Sequence, residues 1–173
     1  MSQLTALSLS IGVLGGIATW LYLTVGGIFI WAGFIAWGCF FHCGGDTNAL
    51  KNTIVNNIWG CICAWVAALL ILGVPMADKI GLPVWAGICV GALVLVLCLG
   101  ANIKAISVIP AAVYGFAASF AFLLQTPEML STANLTSVSL KNSLIVVPLS
   151  MIIGAIFGIV SAKVAGALTS KAS

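Results

Sequence analysis

Residues 143–168 read SLIVVPLSMIIGAIFGIVSAKVAGAL, an apolar stretch whose single charged side chain is Lys163. A helix that crosses a bilayer needs about 20 mostly apolar residues, because no water is available there to hydrogen-bond its backbone. This stretch meets that requirement. The whole chain of 173 residues has a similar composition, since 62% of its residues are hydrophobic and 5% are charged. The sequence therefore predicts an all-α integral membrane protein.

Five further apolar blocks precede this one, separated by glycine, proline or polar residues. We expect a single transmembrane domain over residues 1–173, a bundle of about six transmembrane helices. The predicted spans are about 4–24, 28–42, 53–74, 82–99, 103–124 and 143–168. The second span is near the lower length limit for a crossing, so a segment that enters the membrane and returns is an alternative there.

The lysines predict the orientation of the bundle. Six crossings place four lysines on one side, Lys51, Lys104, Lys163 and Lys171, and two on the other, Lys79 and Lys141. Because positive charge is retained in the cytoplasm, we expect the first side and the C-terminus to be cytoplasmic. The N-terminus is also cytoplasmic if the second span crosses. The expected location is a bacterial inner membrane.

The charged residues and cysteines exclude several classes of function. No basic cluster is present that would bind nucleic acid, and no nucleotide-binding glycine loop, catalytic triad or carboxylate pair indicates an enzyme or a cofactor. No ionisable residue lies at the centre of a predicted span, where ion-coupled carriers place them. The six cysteines lie within or at the ends of apolar segments, where we expect packed thiols rather than disulfides.

Two short sequence matches indicate internal repetition. Residues 50–53 read LKNT and residues 140–143 read LKNS, at the starts of the third and sixth predicted spans. In a six-span bundle these starts lie on opposite faces of the membrane, as a 3+3 inverted repeat requires. Residues 31–33 and 85–87 both read WAG, which favours a parallel two-helix repeat instead. Chance similarity in so biased a composition is the third explanation.

Small residues recur at helical spacing in most of the spans. Membrane helices associate where small side chains let their backbones approach closely. The candidate packing residues are Gly12, Gly16, Gly87, Gly91, Gly154 and Gly158. Packing within one subunit is the simpler interpretation, and a homo-oligomer contact through the last span is the alternative.

Polar, aromatic and proline residues inside the spans are the candidates for a solute pathway. An amide in hydrocarbon requires a partner or water, so each asparagine either contacts a solute or bonds neighbouring backbone. Proline removes a helical hydrogen bond and leaves a carbonyl free for a cavity or a hydroxyl. Aromatic rings can line a dry constriction or pack in the core. The candidates are Asn56, Asn57, Trp37, Pro110, Tyr114 and Pro148.

Cys39, His42 and Cys43 lie on adjacent turns at the end of the second predicted span. Thiolate and imidazole are ligands for zinc or copper(I). A tetrahedral site requires four ligands, and only three converge by sequence. Metal handling is therefore the third functional hypothesis, after a channel and an accessory membrane role. Ordinary packing of these side chains is the simpler explanation of the cluster.

Residues 30–41 read IWAGFIAWGCFF and are followed by Gly44-Gly45 and Leu50-Lys51. This pattern resembles a bacterial family of small multi-pass inner-membrane proteins of unknown function. The resemblance covers nearly the whole chain. It implies an inner-membrane location and about six spans, and it transfers no substrate, cofactor or catalytic residue.

We therefore expect a channel or facilitator for a small neutral or weakly polar solute, with the lipid bilayer as its surroundings. The alternative is a structural or accessory membrane protein that packs against a partner through its glycine-rich helix faces. Neither reading involves catalysis.

Overall fold

The structure is a computed structural model that describes residues 1–169, and the regular structure in this range is helical. Lys171, assigned above to the cytoplasmic side, lies outside the described residues. The helices in chain order are α1 (Gln3–Val25), α2 (Ile30–His42), α3 (Thr47–Gly73), α4 (Ala77–Ile80), α5 (Leu82–Leu99), α6 (Ile109–Gln125), α7 (Thr132–Leu135) and α8 (Ser143–Thr169).

The helix boundaries follow local capping chemistry. Ser2 caps α1 by accepting a hydrogen bond from the Thr5 N–H, and Gly26 and Gly27 end it in the left-handed region that glycine tolerates. Asp46 caps α3 through the Ala49 N–H. For this reason α3 begins six residues before the predicted span 53–74.

The connection from α5 to α6 differs from the prediction. Two 3₁₀ turns, Gly100–Asn102 and Lys104–Ile106, occupy the start of predicted span 103–124, and α6 begins only at Ile109. Pro110 therefore lies in the first turn of α6, where no intrahelical N–H is needed. The expectation that Pro110 interrupts a helix and frees a carbonyl is wrong.

Four helices form the centre of the bundle. α3 packs most extensively against α6, and α8 packs most extensively against α2. α1 lies outside α8, and α5 lies outside α3. Both outer helices expose most of their apolar side chains, whereas α3 and α8 are about half buried. The arrangement therefore has a four-helix core with one outer helix on each side.

Contacts between helices fix their relative directions. α1–α8, α3–α5 and α2–α6 are antiparallel, whereas α2–α8 and α3–α6 are parallel. Helices α1, α2, α3, α5, α6 and α8 therefore alternate in direction along the chain, and α2 is one continuous helix rather than a segment that turns back. The defining pairs are Ser10–Ser161, Tyr22–Ser150, Trp59–Leu97, Trp85–Leu70, His42–Tyr114, Phe29–Phe122, Gly33–Gly154, Phe40–Gly158, Asn56–Val108 and Gly60–Ala112.

Within residues 1–169, four helices are long and apolar enough to cross a membrane: Gln3–Val25, Thr47–Gly73, Leu82–Asn102 and Ser143–Thr169. The third of these includes the first 3₁₀ turn. α2 and α6 are also apolar but shorter, with 13 and 17 residues. At 1.5 Å per residue they extend about 20 and about 26 Å, less than the hydrocarbon core of about 30 Å.

Candidate functional site

A small polar cluster lies where α2 faces α3. Cys39 Sγ donates to Asn57 Oδ1 at 3.6 Å, and the Thr53 hydroxyl lies beside the same thiol. Thr53 and Asn57 are four residues apart, so both project from one face of α3. All three side chains are buried. Asn57 lies about 15 Å along α3 from Thr47, well inside the helix.

This cluster contains two polar atoms with unmet hydrogen-bonding capacity. Asn57 Nδ2 and Thr53 Oγ1 are fully enclosed, and neither makes a hydrogen bond of normal geometry. A buried donor without a partner costs about 1–3 kcal/mol. Native interiors rarely keep such groups unless a water or ligand completes them. Thr53 was not among the sequence candidates, although its four-residue spacing from Asn57 was visible.

Asn56, the neighbouring candidate, has a structural role. Its Nδ2 donates to the Asn52 carbonyl at 2.8 Å, and its Oδ1 accepts the Val108 N–H at 2.9 Å. Val108 is the N-cap of α6, whose first N–H groups have no intrahelical acceptor. Asn56 thus holds the start of α6 against α3, and its polar atoms are occupied.

The side chains of Cys39, His42 and Cys43 do not converge. Cys39 Sγ and Cys43 Sγ are 4.0 Å apart, whereas His42 Nδ1 lies 2.9 Å from Tyr114 Oη on α6. In the described residues, no three His, Cys, Asp or Glu side chains are grouped as metal ligands. His42 and Tyr114 instead join α2 to α6.

Trp37 is buried in the contact between α2 and α8. Its indole Nε1 donates to Ser161 Oγ at 3.1 Å, and its ring stacks between Phe34 and Phe157. Ser161 also accepts, through its carbonyl, a 2.9 Å hydrogen bond from Ser10 Oγ on α1. Trp37 therefore links α2 to α8, and Ser161 connects α8 to α1.

Pro148 lies inside α8, in its second turn. Two residues later, Ser150 makes one hydrogen bond within α8 and one to each of two other segments. Its hydroxyl donates to Val146 O at 2.7 Å and accepts the Phe29 N–H at 2.9 Å, while its carbonyl accepts the Tyr22 hydroxyl at 2.6 Å. The region around Pro148 is thus a hydrogen-bonded junction of α1, α2 and α8.

The candidate packing glycines divide into two groups. A Cβ added at Gly154 would overlap the Gly33 backbone, and one at Gly158 would overlap the Phe40 side chain, so both face α2. The other four have open space where a Cβ would be, and they lie on the exposed faces of the outer helices: Gly12, Gly16, Gly87 and Gly91. Gly60 and Gly115 pack α3 against α6, and of these Gly60 was not predicted.

Cavities open at both ends of the bundle, and packed apolar side chains lie between them. One of about 320 Å³ lies between the start of α2 and the end of α6 and includes Phe29, Phe122 and Lys141. Another of about 320 Å³ lies between the start of α1 and the ends of α2 and α8, near Gly45. Buried Val147 and Met151 belong to the apolar core between the four central helices. Packed apolar side chains therefore separate the two cavities.

These features define an all-helical protein whose long apolar helices are compatible with a membrane location, with an incompletely bonded polar cluster buried between α2 and α3. A family model described as "Protein of unknown function (DUF1097)" matches residues 8–166, nearly the whole chain. The chain belongs to this family. Comparison with curated proteins and with solved structures finds no match.

Proposed function

We propose that the protein is a facilitator for a small neutral or weakly polar solute in a bacterial inner membrane, with six helices that cross the bilayer. The alternating directions of the long helices support six crossings. The lysine distribution supports a cytoplasmic C-terminus, since Lys51, Lys104 and Lys163 lie at one end of the bundle and Lys79 and Lys141 at the other.

The packing pattern supports a 3+3 inverted repeat. If α1, α2 and α3 correspond to α5, α6 and α8, the parallel pair α2–α8 matches the parallel pair α6–α3. The antiparallel pair α1–α8 then matches α5–α3. Many transporter folds are built from such halves and bind their substrates where the halves meet. Here α2, α3, α6 and α8 meet there, and the polar cluster lies among them.

The two shortest helices favour a permeation route through the centre. α2 and α6 contact each other at both ends, through His42–Tyr114 and through Phe29–Phe122. Each is shorter than the hydrocarbon thickness. One cavity lies between the start of α2 and the end of α6, and a second lies beside the end of α2. A route along α2 would therefore cross less closely packed protein than the full length of the bundle.

The polar cluster supplies the chemistry for a neutral solute. Asn57 Nδ2 donates, and the Thr53 hydroxyl both donates and accepts. A hydroxyl or amide on the solute would supply the missing hydrogen bonds of both side chains, whereas an ion would find no opposite charge in the cluster. The buried, incompletely bonded Asn57 amide is the observation that carries the proposal.

Permeation of reconstituted vesicles by a panel of small neutral solutes tests this function. Asn57→Leu removes the amide but keeps a side chain of similar volume. We expect the fold to be retained, because an apolar group replaces a polar group without a hydrogen-bond partner. We expect at least about tenfold slower permeation, the equivalent of one lost hydrogen bond of about 1.4 kcal/mol. Asn102→Leu, on the exposed connection to α6, is the control and should leave permeation unchanged. Unchanged permeation in folded Asn57→Leu protein would contradict the proposal.

A structural or accessory role is the second candidate, and the outward glycines favour it. Gly12 and Gly16 on α1 and Gly87 and Gly91 on α5 leave smooth faces that another membrane helix could approach. Under this alternative the vesicles are impermeable to the whole panel. A specific membrane protein then co-purifies with the wild-type chain and is lost on Gly12→Leu or Gly87→Leu.

A further inference from the structure

Two lysines share a cavity at one end of the bundle. A cavity of about 330 Å³ lies between the start of α3 and the second 3₁₀ turn, Lys104–Ile106, and it is lined by Lys51, Asn52, Lys104 and Ala105. Both ammonium groups are exposed. In the described part of the chain neither makes an ion pair, and no acidic residue lines the cavity. The cavity is therefore cationic and lacks a counter-charge.

An apolar surface leads from the membrane interior to this cavity. Leu95 and Leu99 are four residues apart on the outer helix α5, hence on one face, and are 60% and 58% exposed. Ile103, directly before Lys104, is 59% exposed. These side chains have no protein partner that buries them, so hydrocarbon chains of lipid would cover them in a membrane.

We infer that this cavity binds the phosphate headgroup of an anionic phospholipid whose acyl chains lie along α5. Basic pockets between membrane helices at the cytoplasmic surface are suited to such headgroups. The two ammonium groups would bind the phosphate, and the Asn52 amide supplies a further donor. The inference rests on a membrane location for the chain but does not depend on the facilitator function.

The opposite end of the bundle lacks these features. Lys141 and Asn142 correspond to Lys51 and Asn52 in the matching LKN sequences, but Lys141 lines a cavity made mainly of apolar groups. The Asn142 amide is occupied, since Nδ2 donates to Ser137 O at 3.0 Å and Oδ1 accepts the Leu144 N–H at 2.9 Å. The cationic cavity is therefore specific to the Lys51 end.

Native mass spectrometry of the full chain, purified with mixed phosphatidylglycerol and phosphatidylcholine, tests the inference. We expect phosphatidylglycerol to be retained preferentially. Lys51→Gln with Lys104→Gln should weaken retention about thirtyfold, since each lysine near an anionic lipid contributes about 1 kcal/mol. Lys51→Arg with Lys104→Arg should restore retention, which separates a charge effect from a folding effect.

The matched control removes the two lysines at the other end, Lys79→Gln with Lys141→Gln, and should leave retention unchanged. Equal loss of lipid in this control, or equal retention of the two lipids by wild-type protein, would overturn the inference. Displacement of the lipid by millimolar inorganic phosphate would also overturn it, because the cavity would then be a site for the free anion.

Discussion

Asn56 and Asn57 are adjacent in sequence and equally buried, but their amides have different surroundings. In Asn56, both Nδ2 and Oδ1 hydrogen-bond to backbone groups. In Asn57, Oδ1 accepts one weak hydrogen bond from a thiol, and Nδ2 has no partner. On a helix, neighbouring residues point about 100° apart, so one faces the start of α6 and the other faces α2. This division separates a structural role from a candidate binding role.

Replacing Asn56 tests its structural role. Asn56→Ala removes the acceptor for the Val108 N–H and should destabilise the protein by about 1 kcal/mol, near the lower end of the range for an orphaned donor because Val108 is only half buried. Thermal unfolding in detergent measures this change. Asn102→Ala removes an exposed side-chain hydrogen bond to Leu99 and should change the melting temperature little. Equal stability of the two variants would show that the contact to α6 contributes nothing.

At this scale the sequence predicts which residues are polar and buried, but not which partner each one finds. The alternatives stated for Asn56 and Asn57 were solute contact and backbone bonding, and the partner of Asn56 lies 52 residues away on α6. The contact between His42 and Tyr114 spans 72 residues. No local spacing encodes such pairs, since they arise only once the helices are packed.

Glycines decide how closely the central helices approach. α8 contacts α2 at Gly154 and Gly158, and α3 contacts α6 at Gly60 and Gly115, in each case where a Cβ would overlap the opposing helix. In a membrane such close backbone approach supplies packing energy that hydrophobicity cannot, because lipid tails are as apolar as the side chains. Both parallel helix pairs therefore pack closely in the same way, through glycines at the contact.

A pair of substitutions on α8 tests this close packing. Gly154→Ala places a methyl group against the Gly33 backbone, and we expect about 1–3 kcal/mol of destabilisation, as for other overpacked interiors. Gly166→Ala, on the same helix, meets open space and should be neutral or stabilising by up to about 1 kcal/mol, because alanine favours helix more than glycine. A melting temperature for Gly154→Ala at or above that of Gly166→Ala would contradict close packing of α8 on α2.

The boundaries of the elements could be predicted where apolar periodicity and capping agree. α1, α5 and α8 begin and end within one residue of their predicted spans. α3 extends earlier because residues 47–52, four of which are polar, follow the Asp46 cap, and hydropathy alone does not detect such a first turn. α6 begins later because Pro110 favours the first turn of a helix over its interior.

The molecule as a whole is organised around two parallel pairs of central helices, α2–α8 and α3–α6, with α1 and α5 outside them. Composition predicts an all-helical membrane bundle, but it does not reveal which helices are central. The sequence predicts that the second span is near the lower length limit and that the fifth is a full-length span, whereas in the structure α2 and α6 are both short and both pack against the central helices. In the proposed membrane arrangement, neighbouring helices rather than lipid would surround much of the backbone of these two short helices.

The central claim of the proposed function is that six helices, α1, α2, α3, α5, α6 and α8, cross the membrane in alternating directions. Single cysteines in a background without the six native ones, treated in intact bacterial cells with a membrane-impermeant thiol reagent, test it most directly. The variants are Val25→Cys, Thr47→Cys, Asp78→Cys, Ala105→Cys and Ser139→Cys, all at exposed positions in or near the connections. We expect labelling from outside at positions 25, 78 and 139, and labelling at 47 and 105 only after lysis. Labelling of positions 25 and 47 from the same side would mean that α2 does not cross, and would contradict the account.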